Sequence, residues 1–182
     1  MQHANLDPSP WVLRWAPLIA PGGAVLDLAC GAGRHARSLA ARGHPVLALD
    51  RDRDALAGLA GVNGIEAVYS DLEDGSPWPL ADRRFAAVIV VNYLHRPLFP
   101  VLAEALADGG VLVYETFAAG NERFGKPSNL QFLLRPGELL EAFAGVLRLV
   151  AFEQGTVERP KPALIQRLCA LRGDQPAARI DS

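Results

Sequence analysis

Two glycines, Gly31 and Gly33, stand one residue apart shortly after an apolar run that contains Asp27, and a helix-like pattern opens behind them. This order predicts a strand, a tight turn and a helix N-terminus, which together typically bind a small anionic or nucleoside ligand. Glycine at both positions would let the backbone approach the ligand. Asp27 narrows the choice of ligand, because a carboxylate beside the turn attracts a positively charged group.

Three acids stand where three successive strands are predicted to end: Asp27, Asp50 and Asp71. Acids at strand tips usually face a cleft, because a buried carboxylate without a partner is unfavourable. Asp50 is suited to accept hydrogen bonds from both hydroxyls of a ribose. Asp71 could accept one from the exocyclic amine of an adenine, beside the backbone of Leu72. The alternative for Asp71 is a helix cap or a turn, where aspartate is also favoured.

A dinucleotide site is the main alternative for the glycine turn, because Gly31, Gly33 and Ala36 followed by Asp50 also fit that pattern. Two features argue against it. Asp27 would repel a pyrophosphate, and an antiparallel hairpin is predicted to close the sheet. His35, on the first helix after the turn, is interpreted as a packed or capping residue rather than a catalyst.

The elements that must position these residues alternate between strands and helices. We predict an α/β fold with a doubly wound, mostly parallel sheet of seven strands and one antiparallel strand from a C-terminal hairpin. The predicted strands are 24–28, 45–50, 65–70, 85–91, 111–116, 146–154 and 163–171. The predicted helices are 11–19, 34–42, 52–59, 97–107 and 136–143, with residues 108–110 ending the fourth.

Composition limits the class of protein. The chain has 182 residues, half of them hydrophobic, and a formal net charge of -2. It suits one domain over residues 1–172 with a flexible tail over 173–182. No broad basic field for nucleic acid and no bilayer-spanning run is expected. Cys30 and Cys169 are too few for a disulfide framework and favour the cytoplasm. The Arg- and Ala-rich composition hints at a bacterial source.

The chain resembles the class I S-adenosylmethionine-dependent methyltransferases, which have a Rossmann-like fold. The resemblance covers most of the chain and rests on segments 25–33, 49–50, 70–72, 85–91 and 106–112. Segments 114–117, 121–125 and 132–140 are most similar to small bacterial methyltransferases of the tellurite-resistance-like group. S-adenosylmethionine is the cofactor that the resemblance implies.

The resemblance also implies a set of contacts to that cofactor. Asp27 and the backbone from Ala29 to Gly33 would hold the methionine part, and Asn92 would border the transferred methyl. Asp50 would hold the ribose, and Arg51 would lie alongside the adenine. The cofactor-binding prediction comprises Asp27, Ala29, Gly31, Gly33, Asp50, Arg51, Asp71, Leu72 and Asn92.

The methyl acceptor is expected to be a small molecule, either a metabolite or a metalloid oxyanion. His95 and Tyr93, after the fourth strand, are the catalytic candidates, and a purely structural histidine is the alternative for His95. The long loop 118–130 favours a lid. The substrate-binding candidates are Arg96, Glu115, Phe117, Asn121 and Phe124.

The partner prediction is a small-molecule acceptor, with no nucleic acid, membrane or metal, and a monomer or homodimer. Two other functions stay open: a non-catalytic sensor that binds S-adenosylmethionine, and an NAD-dependent oxidoreductase.

Overall fold

The computed structural model describes residues 7–173, which build a sheet of seven strands. Their order across the sheet is β3-β2-β1-β4-β5-β7-β6. All neighbours pair in parallel except β7, which is antiparallel to β5 and β6. The predicted α/β sheet is therefore confirmed. The strands are β1 Val25–Leu28, β2 Val46–Asp50, β3 Ile65–Tyr69, β4 Phe85–Val91, β5 Leu106–Phe117, β6 Arg148–Val157 and β7 Ala163–Leu171.

Helices cover both faces of this sheet, and each face has its own apolar core. The α-helices are α1 Pro10–Trp15, α2 Arg34–Ala40, α3 Arg53–Ala57, α4 Phe99–Glu104 and α5 Glu138–Phe143. Short 3₁₀ turns occupy Ala16–Leu18, Arg96–Leu98, Asn121–Arg123 and Leu130–Phe132. The first helix is shorter than predicted because its pattern continues as a 3₁₀ turn. Strands β1 and β4 lie at the centre and are almost wholly buried, which explains their nearly continuous apolar sequences.

The order in which strands are added to the sheet reverses between β1 and β4, although the two strands are parallel. From β1 the chain moves outward to β2 and β3, and it then returns to place β4 on the other side of β1. Loops that follow β1 and β4 therefore separate at the carboxyl edge of the sheet. A crevice opens there, and ligands of such sheets bind in it.

The predicted boundary between the fourth helix and the fifth strand is wrong. Residues 108–110 were expected to end a helix, whereas they lie inside β5, and α4 ends at Glu104. The pairing of β4 with β5 is irregular here, since it passes from Phe85–Leu106 directly to Ala87–Val111. A Cβ on Gly110 would lie 2.9 Å from the Phe85 carbonyl oxygen. Gly109 and Gly110 therefore allow an irregularity in the pairing of β4 with β5.

The closing hairpin is confirmed. Its exposed turn, residues 158–162, lies at the same edge as the end of β5, because β6 and β5 run in the same direction. The predicted tail from residue 174 onward lies outside the described residues. Within residues 7–173, no helix is long and apolar enough to cross a membrane.

Candidate active site

A cavity of about 410 Å³ lies at the carboxyl edge of the sheet, beside the reversal between β1 and β4. Its walls come from the ends of β2, β4 and β5, from the residue that follows β1, and from the loop after β5. The predicted residues that line it are Ala29, Asp50, Arg51, Asp71, Leu72, Asn92, Tyr93 and Phe117. Most of the predicted cofactor set is thus brought together in this first cavity.

Asp50 ends β2 and lines the first cavity. One of its carboxylate oxygens accepts a hydrogen bond from the Gly31 N–H at 2.7 Å. The other accepts one from the Asp52 N–H at 2.9 Å. These two hydrogen bonds fix the orientation of the carboxylate. Each oxygen keeps a further lone pair that can accept a hydrogen bond from a ligand. This is the arrangement that a vicinal diol needs.

Asp71 follows β3 and lines the first cavity. Its carboxylate accepts a hydrogen bond from the Glu73 N–H at 3.0 Å and lies 3.8 Å from the Arg51 guanidinium. Arg51 also approaches Glu73 at 4.0 Å. Asp71 therefore both accepts a turn hydrogen bond and lines the cavity, so its two predicted roles do not exclude each other. Glu73, which lines the same cavity, was not predicted, because an acid two residues past a strand has no distinctive spacing.

The two glycines of the turn differ in their surroundings. A Cβ on Gly31 would meet no atom within 4 Å, and its φ is +53°. A Cβ on Gly33 would lie 2.5 Å from a methyl carbon of Leu59. Gly31 thus leaves open space beside the turn. Gly33 has a packing reason instead, since its lack of a side chain lets α2 lie against Leu59, just after α3. Neither glycine lines the first cavity.

Asp27 does not face a cavity, contrary to the expectation that it attracts a cationic ligand group directly. It is 1% exposed, and its carboxylate accepts a hydrogen bond from the Ala36 N–H at 2.9 Å, in the first turn of α2. Burial raises the pKa of Asp27 to about 7, because it disfavours the charged form. Asp27 therefore positions α2.

His35 is buried beside Asp27, with its Nδ1 3.9 Å from the Asp27 carboxylate. Its Nε2 accepts a hydrogen bond from the Ser9 N–H at 3.2 Å, so the imidazole is the Nδ1-protonated tautomer. Burial lowers the pKa of His35 to about 3, with the Arg34 charge as a second cause. The packed, structural interpretation of His35 agrees with these contacts.

Among residues 7–173, two non-glycine residues adopt the left-handed backbone region, and both line the first cavity. Ala29 has a φ of +54° and Asn92 a φ of +59°. Alanine is strained in this region, whereas asparagine tolerates it. Such conformations are typical of ligand sites, where the surrounding structure enforces them. They turn the chain sharply at the ends of β1 and β4, so that the crevice stays open.

The two catalytic candidates are placed differently. Tyr93 lines the first cavity, and burial, followed by the charge of Glu73, raises the pKa of its phenol well above the ordinary value. The phenol therefore stays protonated at neutral pH, and its O–H is hydrogen-bonded to the Glu73 carboxylate. His95 is half-buried and lines neither large cavity, so the structure does not bring it to the place where Tyr93 lies.

Arg96 was predicted to contact a substrate, but its guanidinium is occupied within the protein. It donates to the Glu138 carboxylate at 2.6 Å and to the main-chain carbonyls of Gln131 and Leu133 at 2.8 and 2.9 Å. Glu138 is 4% exposed. The ion pair therefore fastens the loop after β5 to α5. Arg96 does not line the first cavity; it lines a separate cavity of about 500 Å³, together with Phe99 and Leu147.

The loop residues Asn121 and Phe124 also lie outside both cavities. Asn121 is 1% exposed, and its amide bonds the Pro127 carbonyl at 3.0 Å and the Leu164 N–H at 3.1 Å. Its side chain holds the loop against β7. Phe124 is partly exposed, with the Arg123 guanidinium 5.2 Å from its ring centre. The loop reaches the first cavity through other residues, namely Pro127 and Phe132.

A second cavity of about 370 Å³ adjoins the first, because Asn92 and Phe117 line both. Glu115, at the end of β5, lies inside it and accepts a hydrogen bond from the Ser9 hydroxyl at 2.8 Å. Sequence reasoning missed most of its lining. The missed polar residues are Asp7, Ser9, Arg34, Arg159, Lys161 and Arg167. They come from distant parts of the chain, and no local motif joins them.

Cys30, beside the glycine turn, is buried and lines neither the first nor the second cavity. Burial raises the pKa of its thiol well above the ordinary value, so the thiol stays protonated and is a poor nucleophile. Within residues 7–173, no group of three His, Cys, Asp or Glu side chains could hold a metal ion.

Comparisons with known proteins bear on the fold and on the family. Residues 25–110 match the family model of a methyltransferase domain, and a search among curated proteins finds no match. TehB from Haemophilus influenzae has a similar structure, with a TM-score of 0.77 and 17% identity, over 91% of this chain and 63% of that one. This chain thus spans less than two thirds of that TehB chain.

Two further solved structures are similar over most of both chains. An S-adenosylmethionine-dependent methyltransferase from Mesorhizobium loti has a TM-score of 0.69 and 19% identity, over 92% of this chain and 100% of that one. A TehB-like methyltransferase from Corynebacterium glutamicum has a TM-score of 0.61 and 22% identity, over 88% of each chain. At these identities the likeness concerns the fold.

Proposed function

We propose that the chain is a class I S-adenosylmethionine-dependent methyltransferase that transfers the methyl group of this cofactor to a small-molecule acceptor, because residues 25–110 match the family model of a methyltransferase domain and the sheet has the matching strand order. The observation that carries the proposal is the meeting of Asp50, Asp71 and Asn92 in one cavity that opens into a second. One cavity suits the cofactor, and the other suits the acceptor.

The residues of the first cavity fit S-adenosylmethionine. Asp50 is oriented by two backbone N–H groups and still has lone pairs for the ribose hydroxyls. Asp71 and Leu72 form the wall for the adenine edge, and Arg51 is exposed beside them. Gly31 leaves open space at the turn. These residues would hold the cofactor by the same contacts that the sequence predicts.

When bound, S-adenosylmethionine supplies a methyl group activated by its sulfonium charge: a lone pair of the acceptor forms the new bond to the methyl carbon, and the electron pair of the broken C–S bond stays on sulfur. The protein then has to bring acceptor and methyl into line. Asn92 and Phe117 stand at the boundary of the two cavities and would orient that approach. Tyr93 lines the first cavity, where its phenol donates a hydrogen bond to Glu73.

A proton has to leave only when the acceptor is protonated. Among the predicted residues, Glu115 is the carboxylate inside the second cavity, where it is held by Ser9 and lies 3.6 Å from Arg167. His95 lines neither cavity. We therefore propose Glu115 as the group that would receive an acceptor proton, and we assign His95 a structural role.

Binding of S-adenosylmethionine is tested by calorimetry on the wild-type protein and on Asp50→Ala. Loss of charge-assisted hydrogen bonds to both ribose hydroxyls should weaken binding by at least about tenfold. Asp82→Ala, an exposed acid that lines neither cavity, is the control and should bind like the wild type. Thermal melts of both variants separate a binding defect from a folding defect. Unchanged affinity in a folded Asp50→Ala protein would contradict the assignment.

A sensor that binds the cofactor without turnover is the competing function. The wild-type protein is incubated with methyl-labelled S-adenosylmethionine and a panel of small metabolites. Transfer of label to a metabolite, together with formation of S-adenosylhomocysteine, supports the enzyme. Tight cofactor binding without transfer to any panel member favours the sensor.

A further inference from the structure

The second cavity carries a charge pattern that deepens the proposed function and rests on it. It lies between the end of β5, the start of β7 and the hairpin turn of residues 158–162. Through Asn92 and Phe117 it borders the cavity assigned to the cofactor. A molecule in the second cavity would therefore meet the methyl group at this boundary. Its walls should reveal what kind of acceptor fits.

Four cationic side chains line this cavity, and they are not equivalent. Arg167 is neutralised by Glu153, to which its Nε donates at 2.8 Å, and lies 3.6 Å from Glu115. Arg34 donates to the main-chain carbonyl of Asp7 at 3.1 Å. Arg159 and Lys161 form no salt bridge or hydrogen bond with any residue between 7 and 173. These two cations are therefore available to a ligand.

The hairpin turn presents these two cations in a restricted way. Arg159, Pro160, Lys161 and Pro162 alternate along it, and proline fixes its own φ while limiting the residue before it. The conformational freedom that Arg159 and Lys161 would lose on binding is therefore reduced. A guanidinium beside an ammonium matches a carboxylate, because the planar guanidinium fork can donate two parallel hydrogen bonds.

The remaining lining is mostly apolar. It comprises Pro8, Pro10, Phe117, Val157, Pro160, Ala163 and Ile165. A cavity of about 370 Å³ with such walls suits a molecule that has an apolar body, and it is much larger than an inorganic oxyanion requires. The two cations without a salt bridge lie on the turn of residues 158–162, which forms one part of the lining.

We propose that the second cavity binds an organic acid with an apolar body, whose carboxylate is recognised by Arg159 and Lys161. The apolar body lies against Phe117 and Ile165, and the other end of the molecule faces the boundary with the cofactor cavity. The turn between β6 and β7 is thus the element that selects an anionic acceptor.

The test uses the full chain saturated with S-adenosylhomocysteine. Calorimetry measures binding of 3-phenylpropanoate, of its neutral counterpart 3-phenylpropan-1-ol, and of inorganic selenite. We expect 3-phenylpropanoate to bind at least about tenfold more tightly than either other probe, as loss of a charge-assisted hydrogen bond or of the apolar contacts would produce. Its binding should weaken as salt rises, since both cations are exposed.

The variant Arg159→Gln/Lys161→Gln tests the turn itself. It should weaken 3-phenylpropanoate binding by about tenfold and leave 3-phenylpropan-1-ol unchanged. Glu158→Gln alters a charge in the same turn, and Arg42→Gln removes an exposed cation that lines neither cavity. Neither control should weaken binding of the acid. The turn lies outside the core, so all variants should melt like the wild type.

The outcomes separate this inference from the proposed function. Failure of the wild-type protein to bind S-adenosylmethionine or S-adenosylhomocysteine would contradict the proposed function. Normal cofactor binding combined with any of three results overturns the inference alone: no binding of the acid, equal binding of the alcohol or of selenite, or undiminished binding in the double variant.

Discussion

The buried pair of Asp27 and His35 should make two single variants respond to pH in opposite directions. In the folded protein the pKa of Asp27 is raised from 3.8 to about 7, and that of His35 is lowered from 6.5 to about 3. Between about pH 4 and 6.5 the folded pair therefore holds one proton, on Asp27. The unfolded pair also holds one, on His35. The contribution of the pair to the free energy of unfolding is then independent of pH in this window.

Removing one partner exposes the pH dependence of the other. In Asp27→Asn, His35 remains, and its folded pKa lies below its unfolded pKa. The contribution of His35 to the free energy of unfolding is therefore fully present above about pH 6.5 and is lost as the pH falls. In His35→Gln, Asp27 remains, and its folded pKa lies above its unfolded pKa. The contribution of Asp27 to the free energy of unfolding is therefore present below about pH 4 and is lost as the pH rises towards 7.

Each slope is about 1.4 kcal/mol per pH unit, because one proton separates the folded from the unfolded state. From about pH 4.5 to 6.5, the free energy of unfolding of Asp27→Asn should rise by about 2 kcal/mol relative to the wild type. That of His35→Gln should fall by about as much. Both replacements keep a hydrogen-bond acceptor, for the Ala36 N–H and the Ser9 N–H respectively. The fold should therefore survive.

Urea unfolding at several pH values, followed by tryptophan fluorescence, measures these free energies. Asp82→Asn is the control, because this exposed acid should leave the slope of the wild type unchanged. The reasoning is refuted if the curves of Asp27→Asn and His35→Gln run parallel to that of the wild type. It is also refuted if the two variants slope in the same direction.

Two matched pairs of substitutions give further predictions. Gly33→Ala should destabilise the protein by about 2–4 kcal/mol in urea unfolding, because the φ of this residue is +72° and the new Cβ would overlap Leu59. Gly31→Ala has open space around the new Cβ and should destabilise the protein by only about 1 kcal/mol. Equal losses of stability in the two variants would contradict this account. Trp11→Phe should be about 1 kcal/mol more destabilising than Trp15→Phe, because the Trp11 indole donates to a main-chain carbonyl at 3.2 Å, whereas that of Trp15 has no partner among residues 7–173. A larger loss for Trp15→Phe in the same assay would show that another contact dominates.

The parts of the fold and site that the sequence predicts well are those with a local signal. Strand β4 was predicted with the bounds that the structure has, because a strand buried on both faces is a continuous apolar run. Asp50 was predicted for the cleft from its place at the end of an apolar run and Asp71 from its place after the next strand, and both line the first cavity. The carboxyl ends of parallel strands meet at one edge, so sequence position translates into spatial neighbourhood there.

The parts that could not be predicted depend on contacts between distant segments. Gly33 looks like Gly31 in the sequence, and only the position of Leu59 distinguishes their roles. Asp27 looks like a cleft acid, but α2 covers it and uses its carboxylate. The second cavity is the clearest case, since Arg34 and Arg159 meet there although more than half of the chain separates them.

The hairpin turn of residues 158–162 also has a consequence for protein engineering. All five residues are exposed, and the pairing of Val157 with Ala163 closes the hairpin before the turn begins. A library of substitutions confined to this turn would therefore leave both apolar cores untouched. If the turn selects the acceptor as proposed, such a library is a direct route to variants that methylate neutral or cationic molecules, with the cofactor cavity unchanged.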